Sequence, residues 1–269
     1  MKKIPWKYQE HTQVSRRSKR PSGADGDRPS ISLVVPAYNE ADYLEATLTS
    51  AKAAATEYGG AVEIIVVDNN STDNTGEIAR DLGATMVFEP INQIARARNA
   101  GAAIASGDYL VFLDADTRIE GDVLCKVANN LASGEVIGGG ALVESDSKGP
   151  GRFLMKYLVN YVLMAANLSV GPFLYSKRDV FLKLGGFDEE FYAAEEFVLA
   201  KRMQAEGRKL DKRWKIITYD KGHRIVTSSR RFGKLGGLEM AFRNAHLLWK
   251  SDKKLRRKDQ CSFWYGARG

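Results

Sequence analysis

The feature that most constrains this chain is a run-and-stop pattern that occurs three times. Ile31-Ser32-Leu33-Val34-Val35-Pro36, Glu63-Ile64-Ile65-Val66-Val67 and Tyr109-Leu110-Val111-Phe112-Leu113 are short and mostly apolar, and each leads into a polar cluster. Such runs, rich in β-branched or aromatic residues and too short for helices, are read as buried strands. Between them the apolar spacing changes. Residues 40–58 place Leu44, Leu48, Ala51 and Ala55 at helical intervals, 75–82 follow a polar run able to cap a helix, and 91–105 are alanine-rich. Strands alternating with helices predict an α/β fold with a mostly parallel central sheet flanked by helices. Ligands of such sheets bind beyond the carboxyl ends of the strands. Tyr38-Asn39-Glu40, the run 68–73 and Asp114-Ala115-Asp116 are therefore expected along one edge.

Composition narrows the reading. With 269 residues, 44% of them hydrophobic, the chain can bury a large core, and chain-wide disorder is excluded. Cys125 and Cys261 lie far apart in no metal-binding pattern, so neither a disulfide framework nor a zinc site is indicated, and a cytoplasmic setting fits. The N-terminus has no apolar stretch of the signal-peptide kind. Residues 153–175 are apolar but interrupted by Lys156, Asn160, Asn167 and Gly171-Pro172, which favours a buried or interfacial helix over a membrane span. The net charge of +7 is concentrated at the two ends. Those ends are either solvated or suited to peripheral contact with an anionic membrane on its inner face. Nucleic acid is not indicated, because no aromatic interleaving accompanies the basic runs.

The expected organisation is a disordered basic tail over 1–30, a first half over 31–119, a second half of the same domain over 120–227, and a C-terminal helix and basic tail over 228–269. Within the later half, strands are expected near 136–143 and 216–219. Helices are expected over 177–184, 195–206 and 235–249.

Asp114 and Asp116 carry the strongest local chemistry. Two carboxylates one residue apart at the end of a buried strand are costly unless neutralised, and a hard divalent cation with oxygen ligands would do so. Alone, Asp-x-Asp reads equally well as turn chemistry. Four motifs in order remove that ambiguity: Val35-Pro36-Ala37-Tyr38-Asn39-Glu40, Val66 through Thr75, Ala97-Arg98-Asn99-Ala100-Gly101 and Leu113-Asp114-Ala115-Asp116. Together they resemble the large inverting glycosyltransferase family numbered two, with the GT-A fold, over roughly residues 31–231.

That resemblance implies an inverting sugar transfer from a nucleotide-diphosphate donor, a UDP-sugar favoured, assisted by Mn²⁺ or Mg²⁺, with 31–119 as the nucleotide-sugar donor-binding half and 120–227 as the acceptor-binding half. Pro36, Ala37, Tyr38 and Glu40 would hold base and ribose, and Asp68 would accept a hydrogen bond from the base. Arg98 would face phosphate or base. Asp114 would contact ribose or metal-bound water, Ala115 would line the donor site, and Asp116 would ligate the metal. Gly185-Gly186-Phe187-Asp188-Glu189 followed by Glu195-Glu196 resembles the family's Gly-Gly-Phe-Asp segment and acidic pair. This implies Glu196 as general base, with Glu195 as its rival. By themselves, acids in a helix's first turn read as complements of its dipole.

His223 is a candidate third metal ligand, and Arg230 and Arg231 are candidate diphosphate clamps. Residues 171–175 lie where relatives shape the acceptor pocket. The acceptor, a glycan, a lipid-linked sugar or a small molecule, is not specified by the sequence. One departure stands out: Asp68-Asn69-Asn70 occupies the place where many relatives carry two aspartates and a glycine. Two other classes remain. A noncatalytic nucleotide- or glycan-binding module would bind without turnover. A nucleotidyltransferase would need a glycine-rich phosphate loop after the first strand, where this chain has Pro36-Ala37-Tyr38-Asn39-Glu40.

Overall fold

A computed structural model describes residues 28–146, 171–218, 222–230 and 255–261. In chain order the elements are β1 (Ile31–Ala37), α1 (Ala41–Tyr58), β2 (Val62–Asp68), α2 (Thr75–Asp81), β3 (Thr85–Phe88), α3 (Ile94–Ile104) and β4 (Tyr109–Leu113). There follow β5 (Thr117–Gly121), α4 (Val123–Ala132), β6 (Val136–Ala141), β7 (Glu144–Ser145), β8 (Phe173–Lys177), α5 (Arg178–Lys183), α6 (Glu195–Lys209), β9 (Arg213–Ile217) and β10 (His223–Thr227).

Seven strands form the main sheet in the order β3-β2-β1-β4-β8-β6-β9, and a small second sheet has the order β5-β10-β7. The first four neighbours are parallel; β8 alone in the main sheet runs antiparallel, to both β4 and β6. The mostly parallel sheet read from the sequence is present. Residues 173–177, which take in most of the 171–175 run lying where relatives shape the acceptor pocket, form a strand buried between two others. The Gly171-Pro172 break stops any helical continuation, and the apolar run that follows takes the extended form beside β4.

β1 sits at the centre and is buried along its whole length. Its proline is tolerated because pairing with β4 ends at Val34 opposite Phe112, before Pro36. Alternation along β1 feeds two cores. Leu33 and Val35 pack with Leu44 and Leu48 of α1 and with Leu131 of α4. Val34 faces the other way, with Ala97 and Ala100 of α3 and the rings of Phe112, Phe181 and Phe187, whose centroids lie 5.0–5.6 Å apart.

Two glycines allow close approach. A Cβ on Gly101 would stand 2.4 Å from Val34 Cγ1, so only glycine lets α3 lie this tightly on β1. A Cβ on Gly139 would stand 1.8 Å from the Lys215 carbonyl and 2.5 Å from Tyr175 Oη. The glycines at 138–140 therefore mark a strand squeezed between neighbours.

Among the described residues no helix is long and apolar enough to cross a membrane. The N-terminal tail to residue 27, the apolar stretch 153–170 and the expected helix 235–249 lie outside the described residues.

Candidate active site

The polar ends of β1 and β2 interlock. Asn39 N–H donates to Ser71 Oγ at 3.0 Å, and Asn39 Oδ1 accepts from the Thr72 N–H at 2.8 Å. Glu40 N–H reaches Thr75 Oγ1 at 2.8 Å, and Ala41 N–H reaches Asp73 Oδ2 at 3.1 Å. Asp68 Oδ1 accepts from the Ser71 N–H at 2.9 Å, the local closure that short acidic side chains provide in turns.

The Asp68-Asn69-Asn70 departure acquires a structural reason. Asn69 is buried, and its Nδ2 donates to the carbonyls of Glu89 (3.1 Å) and Ile91 (2.6 Å) while its Oδ1 accepts from Gln93 N–H at 2.8 Å. Only an amide donates and accepts in this way; an aspartate would face two carbonyls with a carboxylate. These bonds accompany an extended Gln93 (φ −156°, ψ 123°), so α3 begins at Ile94 rather than at 91 as its alanine content suggested. Asn70 has φ +67°, a left-handed conformation that asparagine enters more readily than most residues and that glycine also suits.

At the end of β4 the backbone turns sharply. Asp114 N–H donates to the Pro172 carbonyl at 3.0 Å, and the Asp114 carbonyl accepts from Thr117 N–H at 3.0 Å. Ala115 does not line the donor site as expected. Its side chain is in the core, and its carbonyl accepts from Thr47 Oγ1 at 2.8 Å, because alternation in the turn sends the middle residue inward. Asp116 points the other way. The Thr117 and Thr227 hydroxyls lie 3.4 and 3.5 Å from its Oδ1, and Arg230 Nη2 lies 3.1 Å from its Oδ2. Arg230 also donates to Glu40 Oε1 at 2.5 Å and stacks 4.5 Å over the Tyr43 ring. Burial works against the charge on Arg230, but the Glu40 bond and charge, then Asp116, outweigh it and raise its pKa.

Arg98, expected to face phosphate or base, is 3% exposed. Its Nη2 pairs with Asp114 Oδ1 at 2.8 Å and its Nη1 with Glu195 Oε1 at 2.7 Å, beneath the Phe187 ring at 5.2 Å. Burial opposes its charge, yet Asp114, Glu195 and Glu196 raise its pKa. One guanidinium thus ties the first aspartate of Asp-x-Asp to the acidic pair, whose Glu195 lies 97 residues beyond Arg98 in sequence.

Beside it, Asn99 Nδ2 donates to the Phe187 carbonyl and Asn99 Oδ1 accepts from the Phe187 N–H, both at 2.9 Å. Its Nδ2 also reaches Glu189 Oε1 at 3.1 Å. Asn99 lay within a recognised motif but was assigned no role; its amide is what docks the Gly-Gly-Phe-Asp segment onto α3. Gln93 and Tyr43 likewise carried no sequence signal beyond their positions.

Glu195 and Glu196 open α6, where acids complement the helix dipole. They differ in setting: Glu195 is 2% exposed against Arg98, whereas Glu196 is half-buried. Burial, then the neighbouring Glu196 charge, push the Glu195 carboxyl well above the usual carboxylate range, and Arg98 only partly offsets this.

His223 lies apart from the aspartates. His223 pairs with Gly121 across the β5–β10 ribbon, whereas Thr227 pairs with Thr117 next to Asp116. Four residue steps at about 3.3 Å each separate it from the aspartates. Its buried ring instead faces Asp122, with Nδ1 3.6 Å from Oδ1. The antiparallel register sets this distance, which the sequence order concealed. Arg231 lies outside the described residues. Of the others, Pro36 and Ala37 are buried at the end of β1, where the Ala37 carbonyl accepts from Asn69 N–H at 2.8 Å; Tyr38 and Asp68 are half-buried at the same edge.

A family model described as glycosyl transferase family 2 matches residues 32–184. The chain belongs to this family. Its α/β architecture is the GT-A glycosyltransferase fold, shared with a mannosyltransferase from Pyrobaculum calidifontis solved with GDP-Man and Mn²⁺ (TM-score 0.56, 22% identity, 83% of this chain and 66% of that one). TarS of S. aureus, residues 1–349 with UDP, gives a TM-score of 0.54 at 21% identity over 74% of this chain and 60% of that one. Among sequences, an uncharacterised glycosyltransferase of Haemophilus influenzae is 35% identical over 40% of this chain and 45% of its own length. An Escherichia coli enzyme named UDP-Glc:alpha-D-GlcNAc-diphosphoundecaprenol beta-1,3-glucosyltransferase is 26% identical over 89% of this chain and 93% of its own length. Apart from that enzyme, the chain spans less than half the length of these curated relatives.

Proposed function

We propose that the protein is an inverting glycosyltransferase that moves a hexosyl group from a nucleotide-diphosphate donor, a UDP-sugar favoured, to an acceptor hydroxyl. The observation that carries this reading is the Arg98 bridge, which brings Asp114 and the acidic pair together around one guanidinium. Two ends of a transfer reaction, the departing diphosphate and the activated hydroxyl, would then share one cavity edge.

The donor set suits Mn²⁺ or Mg²⁺. Asp116 offers oxygen beside two threonine hydroxyls and already holds a cationic group, Arg230. Among the described residues no cluster of three or more acidic, histidine or cysteine side chains forms. Such hard cations take one or two carboxylates and complete their shell with substrate phosphate and water. Asp116, with Asp114 beside it, would hold the ion, which would supply charge stabilisation for the leaving diphosphate.

The chain's own groups do the rest. Asp68 and the backbone near Tyr38 would hold base and ribose at the strand ends. Arg230 would turn from Glu40 and Asp116 to the incoming diphosphate, whose oxygens match its fork of donors. Glu196, the more accessible of the acidic pair, would take the proton from the acceptor hydroxyl, while Glu195 stays locked on Arg98. A single displacement opposite the leaving group gives inversion. The relative aligned nearly end to end is named for a diphosphoundecaprenol-linked acceptor, so a lipid-linked sugar is the acceptor class to try first. Such an acceptor would bring the protein to the inner membrane face, where its basic ends would meet anionic lipid.

The test is a panel of UDP-glucose, UDP-GlcNAc and GDP-mannose with Mn²⁺, Mg²⁺ or EDTA, read by thermal shift and slow donor hydrolysis. A metal-dependent shift with one donor, lost in Asp116→Ala and kept in Glu196→Gln while hydrolysis vanishes, is the expected result. Donor binding indifferent to EDTA and to Asp116→Ala would overturn the metal assignment. Normal turnover in Glu196→Gln but not in Glu195→Gln would move the base by one residue.

A further inference from the structure

The helix carrying Glu195 and Glu196 is launched from a backbone that does not hold its own shape. Ala194, the residue just before it, has φ +63°, a left-handed conformation that alanine avoids, and it has no side chain with which to cap the helix. Something outside the loop must impose this geometry. From the donor side Gln93 Nε2 donates to the carbonyls of Glu189 (2.7 Å) and Phe191 (2.9 Å). The other side is held from 255–261, a segment that follows α6 by some 45 residues and lies beyond the span matched by the family model.

Its contacts fall on the same few residues. The Leu255 carbonyl accepts from the Tyr192 N–H at 2.8 Å. Arg256 lies 4.4 Å over the Phe191 ring and pairs with Glu190. Leu255 and Cys261 are buried with Phe191 and Ala193 in a third core cluster, against which Tyr192, Ala194 and Val198 pack. This cluster is separate from the two cores that flank the sheet.

We propose that residues 255–261 are a positioning element for the acidic pair: they clamp 190–194 so that α6 starts where Glu195 meets Arg98 and Glu196 is presented to the acceptor. Leu255 and Arg256 touch no reacting atom and act through the loop. The proposal rests on the glycosyltransferase reading for what the acids do, but not for how the loop is held.

The experiment compares full-length wild type, Leu255→Asp, Leu255→Met and Arg256→Ala. Three quantities are read: hydrogen exchange of the 189–198 amides, UDP affinity with Mn²⁺, and kcat and KM for UDP-glucose hydrolysis. Leu255→Asp is expected to speed exchange within 189–198 and leave UDP affinity within about twofold, while kcat falls on the order of tenfold or more with KM little changed. Leu255→Met should behave as wild type. Arg256→Ala, which removes only the ring and Glu190 contacts, should move the same quantities less and serves if Leu255→Asp does not fold. Unchanged exchange in 189–198 overturns the proposal, and so does faster exchange with unaltered kcat, or a parallel loss of UDP affinity. If wild type neither binds UDP nor hydrolyses the donor, the glycosyltransferase reading fails on its own, and exchange at Tyr192 through Phe197 alone decides the clamp.

Discussion

The proposed donor edge and the proposed acceptor edge of this site are built by different means. At the donor edge the turns after β1 and β2 bond to each other through short side chains within a few residues of their strands: Asn39 with Ser71 and Thr72, Glu40 with Thr75, Ala41 with Asp73. At the acceptor edge one local bond, Glu190 N–H to Asp188 Oδ1 at 3.0 Å, is joined by ties from much farther along the chain. Phe187 is held by Asn99, the loop at 189–191 by Gln93, Tyr192 by Leu255 and Glu195 by Arg98, each partner more than sixty residues away in sequence. A sheet edge made of adjacent parallel strands can organise itself. An edge made of irregular chain needs brackets from elsewhere, and α3 supplies most of them.

If that contrast is right, cutting a bracket should cost more than cutting a local turn bond. The largest effect is expected from Arg98→Ala, which strands Asp114 and buried Glu195 without their cation; a loss of about 3–5 kcal/mol is expected in urea unfolding. A loss below about 1 kcal/mol would show that the bridge is not fully desolvated. Asn99→Ala should follow at about 2–3 kcal/mol, since it leaves the Phe187 N–H and carbonyl unmet in the interior. Ser71→Ala, on the local side, should cost about 0.5–1.5 kcal/mol by the same measurement. Equal losses for Asn99→Ala and Ser71→Ala would erase the comparison.

The smallest effect concerns proton linkage. Because the Glu195 pKa is raised on folding, the folded chain keeps a proton that the unfolded chain releases. That contribution to stability is complete below the ordinary carboxylate pKa and is lost as pH climbs through the raised folded value. Glu195→Gln should therefore flatten the fall in stability across that window. A wild-type curve already flat there would mean that Arg98 alone sets the ionisation of Glu195.

The same contrast explains what the sequence could and could not disclose. β1, β2 and β4 are legible because their β-branched runs end in polar turns, and β4 was placed at Tyr109–Leu113 without error. The Asp-x-Asp turn and the acidic pair were legible as motifs. β8 was not, because its apolar residues follow others that carry no strand alternation, and neither was the β5–β10 ribbon, whose register removed His223 from the aspartates. Arg98 looked like a ligand contact because a guanidinium's two partners, Asp114 and Glu195, are separated by most of the acceptor half. Periodicity reports faces, and long-range brackets leave no periodic trace.

The posture of Arg230 has a thermodynamic corollary. Its guanidinium lies between Glu40 and Asp116, over Tyr43, so one positive charge already sits against two carboxylates in the resting cleft. On the proposed reading, a divalent ion arriving at Asp116 would work by exchange, one positive group evicting another, and the apparent affinity for that ion would contain the work of dislodging the arginine. The evicted side chain is then nearest to the anion that accompanies the metal. Ion and nucleotide should consequently bind as a cooperative pair, each weak by itself, with Arg230 as the counterweight that links them.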